Sequence, residues 1–109
     1  MAKVIWQKRA EHELYRYLAK GFIEFGETTA NKFAAKAGYT SKDLEKFPET
    51  GFPEPLLKGR KKLYRVCHIN QRFKMIYYYA ASSDTVHIAD IWDTRREPTK
   101  LAKRIIAVR

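Results

Sequence analysis

The chain has 109 residues, of which 45% are hydrophobic, and its 22 Lys and Arg against 12 Asp and Glu give a formal charge of +10. This composition excludes a disordered tail and favours one domain with a modest core. The single cysteine, Cys67, excludes an internal disulfide, which suits a reducing compartment. The N-terminal sequence lacks the apolar segment of a signal peptide, and no apolar run approaches the ~20 residues that cross a membrane. We therefore expect a cytoplasmic protein without a membrane partner.

The positive charge is concentrated in the second half of the chain. Residues 1–54 contain 9 basic and 8 acidic side chains, whereas residues 55–109 contain 13 and 4. Such a field attracts phosphate polymers or an acidic protein. The alternative is a charged surface that serves only solubility.

The first half of the chain predicts a short strand followed by two helices. Residues 4–6 are β-prone, and apolar residues then recur at helical spacing over residues 7–26. A second apolar stripe runs over residues 28–47 through Gly38, a residue that costs a helix about 1 kcal/mol. We expect one long helix there, and the alternative is a break at the glycine followed by a short third helix.

The second half predicts irregular chain, then strands, then a helix. Residues 48–62 contain three prolines and two glycines, which indicates a loop. Strand-like runs follow at residues 63–69, 72–80 and 85–92. Pro98 is a good first residue of a short basic helix. The apolar side of that helix is formed by Leu101, Ile105 and Val108.

Two helices followed by an antiparallel meander make an α+β domain. We predict a single domain over residues 1–109, with an N-terminal strand and a helix hairpin packed on an antiparallel sheet of about four strands. The short C-terminal helix completes this domain. We found no repeat, low-complexity segment or linker.

The strand hairpin at Asn70-Gln71 is most simply a two-residue turn. In that register His68 faces the helices, and Arg65 and Lys74 lie diagonally on the other face, ~7–8 Å apart. Two like charges at this distance are unfavourable unless an anion lies between them. A phosphate or a partner's carboxylate would fit, and the alternative is that both side chains extend into water. A shift of one residue would exchange the two faces.

Three basic segments are predicted to converge beside the hairpin. They are the loop residues Arg60, Lys61 and Lys62, the hairpin residues Arg65, Arg72 and Lys74, and the strand-end residues Arg95 and Arg96. Such cations bind phosphate oxygens and stabilise a phosphoryl transition state without a metal. We expect no metal, because Cys67 and His68 are adjacent on a strand and point to opposite faces. No nucleotide-binding loop is present, so we expect no cofactor.

The order of elements and two segments resemble the RelE/ParE superfamily of bacterial type II toxins. The segments are KKLYRVCHINQRFKMIYYY and DTVHIADIWDTRREPTKL, and FPETGFPEPL resembles the family's pre-strand loop. Tyr64-Arg65, Phe73-Lys74 and Arg95 match the family's pattern of basic positions. The resemblance covers nearly the whole chain.

This resemblance implies a toxin that an acidic antitoxin holds inactive. In the ribonuclease branch, which cuts mRNA on the ribosome, a ribose 2′-hydroxyl attacks the adjacent phosphate. Arg65 and Lys74 would then bind the phosphate and assist the hydroxyl, while Arg95 would stabilise the transition state. We expect this endoribonuclease first. The alternatives are a ParE-like inhibitor of DNA gyrase, which is not an enzyme, and a homologue that only binds its antitoxin.

One departure from the ribonuclease pattern concerns the general acid. That branch often carries Tyr or His after the last strand, whereas EPTKLAKRIIAVR contains neither. Proton transfer would then fall to His87, Tyr78 or a lysine. Of these, His87 has a side chain that titrates near neutral pH. Loss of the acid without replacement would slow cleavage by ~10²–10⁴-fold.

Overall fold

The computed structural model describes residues 1–106, so Val108 of the predicted C-terminal helix lies outside the described residues. Within that range the strands are Lys3–Trp6 (β1), Phe52–Pro53 (β2), Tyr64–His68 (β3), Phe73–Ala80 (β4) and Thr85–Asp93 (β5). The helices are Lys8–Phe25 (α1), Glu27–Lys46 (α2) and Pro98–Ile106 (α3). Short 3-10 turns lie at Pro55–Leu57 and Ala81–Ser83. The predicted α+β class and its order of elements are confirmed.

The strands form one mixed sheet in the order β1-β5-β4-β3-β2. β3, β4 and β5 are the predicted antiparallel meander, whereas β1 is parallel to β5, with Val4 opposite Val86. β2 lies in the segment that we expected to be irregular and pairs with β3, with Phe52 opposite Val66. The sheet therefore has five strands rather than about four. A two-residue edge strand that contains proline shows no alternation from which it could be predicted.

The two long helices form the predicted hairpin. α1 ends at Phe25 and α2 begins at Glu27, and the residue between them, Gly26, has a φ of 92°, which glycine adopts without strain. α2 continues through Gly38, so the single long helix is confirmed and the break is not observed. No helix in residues 1–106 is both long and apolar enough to span a membrane.

The sheet separates two apolar layers. The layer beneath α1 and α2 is built from residues of both helices and of β4 and β5, among them Tyr17, Phe33, Leu44, Met75, Tyr77 and Ile88. The layer on the other face lies beneath α3 and the first 3-10 turn, and it contains Leu57, Tyr64, Val66, Ile76, Trp92, Leu101 and Ile105. Each sheet face thus has its own helical cover, and a side chain's face determines which partners it meets.

The β3–β4 hairpin differs from the predicted register by one residue. His68 pairs with Lys74 instead of Phe73. The loop has three residues because the Asn70 carboxamide oxygen accepts hydrogen bonds from the backbone N–H groups of Arg72 at 2.9 Å and Phe73 at 2.8 Å. As a result His68, predicted to face the helices, is exposed.

Gly51 lies where a side chain does not fit. A Cβ atom there would lie 2.7 Å from the hydroxyl of Tyr77 and 2.8 Å from the carbonyl oxygen of Val66. We predict that Gly51→Ala lowers the free energy of unfolding by about 1–3 kcal/mol, because this buried region must shift. The matched control is Gly38→Ala, which meets nothing within 4 Å and should stabilise the helix by about 1 kcal/mol. Urea unfolding measures both, and an unchanged midpoint for Gly51→Ala would contradict the prediction.

Candidate functional site

The sheet lies between Arg65 and Lys74, the two cations that we expected to share a phosphate. Arg65 is on the same face of β3 as Cys67, which packs in the layer beneath α1 and α2. Lys74 is on the same face of β4 as Ile76, which packs beneath α3. The predicted diagonal contact is therefore wrong, because the three-residue loop shifts the register by one and exchanges the faces.

Arg65 fixes the chain between α2 and β2. Its Nη1 donates to the carbonyl oxygens of Gly51 at 2.8 Å and Glu49 at 3.1 Å. Its Nη2 lies 3.7 Å from the Glu49 carboxylate, and the arginine side chain is only 17% exposed. Two of the five N–H donors of this guanidinium therefore bind the protein's own backbone.

Lys74 forms a buried ion pair. Its Nζ lies 2.7 Å from Oε2 of Glu54, with side-chain exposures of 14% and 2%. The other oxygen of Glu54 accepts the backbone N–H of Leu56 at 3.1 Å and so caps the first 3-10 turn. The charge of Lys74 is therefore neutralised within the protein, and it holds this turn against the sheet.

Asp93 orients the strand-end arginine Arg95. Its carboxylate lies 3.2 Å from Arg72 and 3.4 Å from the Arg95 side chain, and it accepts the Arg95 backbone N–H at 2.9 Å. Burial alone would raise the pKa of Asp93, but these hydrogen bonds outweigh it and hold the pKa below its ordinary value. The Arg95 side chain remains 64% exposed, which makes it the most accessible of the three predicted catalytic residues.

Two further predicted phosphate-binding arginines make contacts within the protein, one with α3 and one with β5. Nη2 of Arg60 donates to the carbonyl oxygen of Ala102 at 2.9 Å. The guanidinium of Arg96 lies 4.5 Å from the centre of the Trp92 ring, and Arg104 of α3 lies 5.2 Å from the same ring. Cation–π contacts of this kind stabilise packing. The arginines therefore serve the fold, while Lys61 remains exposed.

A buried carboxylate also anchors α3. A bulge in β5 lies next to Asp90: Asp90 pairs with Ile76 of β4, whereas the next residue of β4, Tyr77, pairs with Ile88. The fully buried Asp90 meets Arg104, which also lies 3.3 Å from Glu13 of α1. Burial raises the pKa of Asp90 to about 6, although Arg104 acts in the opposite direction. Sequence analysis missed this contact, because nothing in the strand pattern indicates a partner on a helix that comes later in the chain.

Tyr78 and His87, the two predicted proton-transfer residues, lie in contact. Their rings stack with centroids 4.8 Å apart and an interplanar angle of 18°. Nζ of Lys62 donates to the Tyr78 hydroxyl at 3.1 Å and lies 4.3 Å from the ring centre. Desolvation and the charge of Lys62 lower the pKa of His87. This cluster of Lys62, Tyr78 and His87 is half-buried, and its role in proton transfer stays a prediction.

An apolar groove between the two long helices and the β3–β4 loop was not predicted. Its volume is about 280 Å³, and Tyr17, Phe25, Phe33 and Phe73 are among its lining residues. Lys20, Lys32, Lys36 and Arg72 line it as well, with Glu24 as its acidic residue. The nearby hairpin tip exposes Phe22, Ile23 and Phe25. Exposed apolar surface with a charged rim is typical of a protein-binding site.

Among residues 1–106, no three His, Cys, Asp or Glu side chains are grouped closely enough to hold a metal ion.

A comparison with family sequence models gives one match that decides the family. The matching model is that of the family described as "ParE toxin of type II toxin-antitoxin system, parDE". It matches residues 4–98 of this chain. The chain belongs to the ParE toxin family. The predicted RelE/ParE relationship is thereby confirmed, and family membership implies an antitoxin partner. A comparison with curated proteins found no match.

Solved structures with a similar fold include one from P. aeruginosa and one from Helicobacter pylori. A chain of the chromosomal ParDE toxin-antitoxin system from P. aeruginosa has 16% identity and a TM-score of 0.68, over 85% of this chain and 96% of that one. A metal-bound toxin from Helicobacter pylori has 16% identity and a TM-score of 0.64, over 87% of this chain and 97% of that one. At such identities the likeness concerns the fold alone.

Lys74 and Arg95 should differ sharply in their effect on stability. We predict that Lys74→Ala lowers the free energy of unfolding by about 3 kcal/mol, because the buried carboxylate of Glu54 loses its cation. Arg95→Ala should change it by less than about 0.5 kcal/mol, because that side chain is mostly exposed. Urea unfolding of both variants measures the difference. Equal midpoints for Lys74→Ala and the wild type would show that the ion pair is not structural.

Asp90 should give stability a distinctive pH dependence. Its folded-state pKa of about 6 lies above the ordinary 3.8, so the folded protein holds this proton more tightly than the unfolded chain. The carboxylate's contribution to the free energy of unfolding therefore falls as pH rises through this window. We predict that Asp90→Asn removes this pH dependence of the free energy of unfolding. The measured quantity is the wild-type free energy of unfolding minus that of the variant at each pH, and it should fall between pH 3.8 and about 6. A difference that stays constant between pH 3.8 and about 6 would contradict the raised pKa.

Proposed function

We propose that this protein is a ParE-type toxin that acts in the cytoplasm and inhibits DNA gyrase by binding it, rather than a ribosome-dependent mRNA endonuclease. The observation that carries the proposal is the placement of Arg65 and Lys74 on opposite faces of the sheet. A ribonuclease of the expected type needs several cations around one phosphate. Here Arg65 and Lys74 are separated by the sheet, and each has partners within the protein.

Recruiting Lys74 to an RNA phosphate would be costly. Glu54 is 4% exposed, and its carboxylate has Lys74 as its cation. Removing one partner of a buried ion pair costs about 3–5 kcal/mol, because the remaining charge is left without water. Arg65 would similarly have to leave two backbone carbonyl oxygens. These energies favour a structural role for both residues.

The apolar groove supports a function in protein binding. Aromatic side chains line it, and four cations beside one carboxylate give it a net positive charge. An amphipathic segment with acidic residues complements such a groove, since its apolar side fills the groove and its carboxylates meet the lysines. We assign this amphipathic acidic segment to the antitoxin. The basic rim of the groove then explains why the partner of this toxin is acidic.

The endoribonuclease remains the second candidate, because one specific contact favours it. In the cluster of Lys62, Tyr78 and His87, the imidazole lies against a phenol and near a lysine. A lowered pKa keeps His87 neutral at neutral pH, so its imidazole would act as a proton acceptor. On this account mRNA and the ribosome would be the partners, and His87→Ala would abolish cleavage.

Two assays with the same purified protein separate these functions. We predict that the toxin blocks supercoiling of relaxed plasmid by gyrase, and that mRNA 5′ ends in a bacterial translation extract stay unchanged in primer extension. His87→Ala, checked for folding by circular dichroism, should inhibit gyrase as the wild type does.

Either of two results would contradict the proposal. One is the appearance of new 5′ ends only when ribosomes are present, together with their loss in His87→Ala. The other is a folded protein that leaves both gyrase and mRNA unaffected, which would indicate a homologue that only binds its antitoxin.

A further inference from the structure

The sheet face opposite the helix hairpin carries a strongly basic surface that the groove and the ion pairs do not explain. Its segments are the loop 58–62 and the chain 95–104, which together contain nine Lys and Arg and one acid, Glu97. The helices α1 and α2, by contrast, contain six of the eight acids of residues 1–54. The two sides of the molecule therefore differ in charge.

Internal contacts hold the two basic segments together. The Arg60 side chain in the loop donates to the Ala102 carbonyl of α3 at 2.9 Å. Leu57, just before the loop, packs in the same buried layer as Leu101 of α3. Loop and helix thus form one continuous structure, and α3, with nine residues, is about 13 Å long.

Apart from Arg95, whose exposed side chain pairs with Asp93, the cations left for an external ligand on this surface are lysines. Arg60, Arg96 and Arg104 contact a carbonyl, the Trp92 ring and buried carboxylates. The exposed lysines are Lys58 and Lys61 of the loop and Lys100 and Lys103 of α3. Glu97 is partly engaged, because its carboxylate accepts from Thr99 at 3.2 Å.

We propose that these four lysines, the lysine surface, bind the phosphate backbone of duplex DNA without reading its sequence. Flexible ammonium groups on a fixed framework act as point charges, and they suit phosphates along a backbone better than the base edges that arginine forks read. This inference rests on the proposed function and deepens it. Gyrase holds DNA, so a toxin on gyrase that also contacts the duplex recognises the enzyme in its DNA-bound state.

The test measures DNA binding without gyrase. Fluorescence anisotropy with a labelled 20-base-pair duplex should show affinity that falls by about 10²-fold between 50 and 200 mM salt, since four phosphate contacts give a log–log slope of about −3.6. The fourfold variant of Lys58, Lys61, Lys100 and Lys103 to Gln should lose at least about tenfold in affinity and most of the slope.

A matched control removes the same net charge outside the two basic segments and outside the groove. It converts Lys3, Lys8, Lys42 and Lys46, which are exposed on β1, α1 and α2, to Gln. This control should keep the wild-type affinity within about twofold, because the contact rather than the total charge determines binding. Equal losses in the two variants would overturn the proposal, as would tighter binding to single-stranded RNA of the same length.

The remaining outcomes separate this inference from the proposed function. A wild-type toxin that inhibits gyrase but does not bind the duplex overturns the lysine surface and leaves the function standing. The opposite result is a toxin that binds DNA through the lysine surface but does not inhibit gyrase. That result supports DNA binding by the lysine surface and overturns the proposed inhibition of gyrase. Binding to poly-glutamate but not to DNA would assign the surface to an acidic protein and overturn the inference.

Discussion

Two hydrogen bonds to the Asn70 carboxamide determine how the basic half of this protein is arranged. They make the β3–β4 loop three residues long, and the loop length sets the pairing of the two strands. Since alternate residues point to opposite faces, this register places Arg65 on the sheet face that packs on the helix hairpin and Lys74 on the face that packs on α3. This register therefore determines which cations can act together on one face of the sheet.

The consequence is that most of the predicted phosphate-binding cations serve the fold. Arg65 holds the chain before β2, Lys74 neutralises Glu54, and Arg60 holds α3 to the basic loop. A buried ion pair is a weak source of stability but is costly to break, so moving Lys74 away from Glu54 towards a substrate would cost free energy. The charge that remains accessible is carried mainly by lysines, which suits long-range attraction and phosphate backbones better than catalysis at one atom.

Sequence reasoning predicted the fold well, because helical stripes and the meander depend on local periodicity. The single α2 helix through Gly38 and the start of α3 at Pro98 are of this kind. The site was predicted less well, because it depends on loop length and on contacts between distant segments. A two-residue turn was the simplest reading of Asn70-Gln71, and no local pattern shows that Asp90 meets Arg104 or that Tyr78 stacks on His87. The edge strand β2 was missed because proline-containing sequence of two residues carries no strand signal.

The proposed function requires that the Lys74 charge be structural and not catalytic. Its most direct test is growth inhibition by the double variant Lys74→Met and Glu54→Gln, which removes both charges and keeps an oxygen that can accept the Leu56 N–H. We predict that this variant folds and is as toxic as the wild type when expressed without antitoxin. A variant that folds normally but no longer inhibits growth would contradict the account and return Lys74 to the catalytic role.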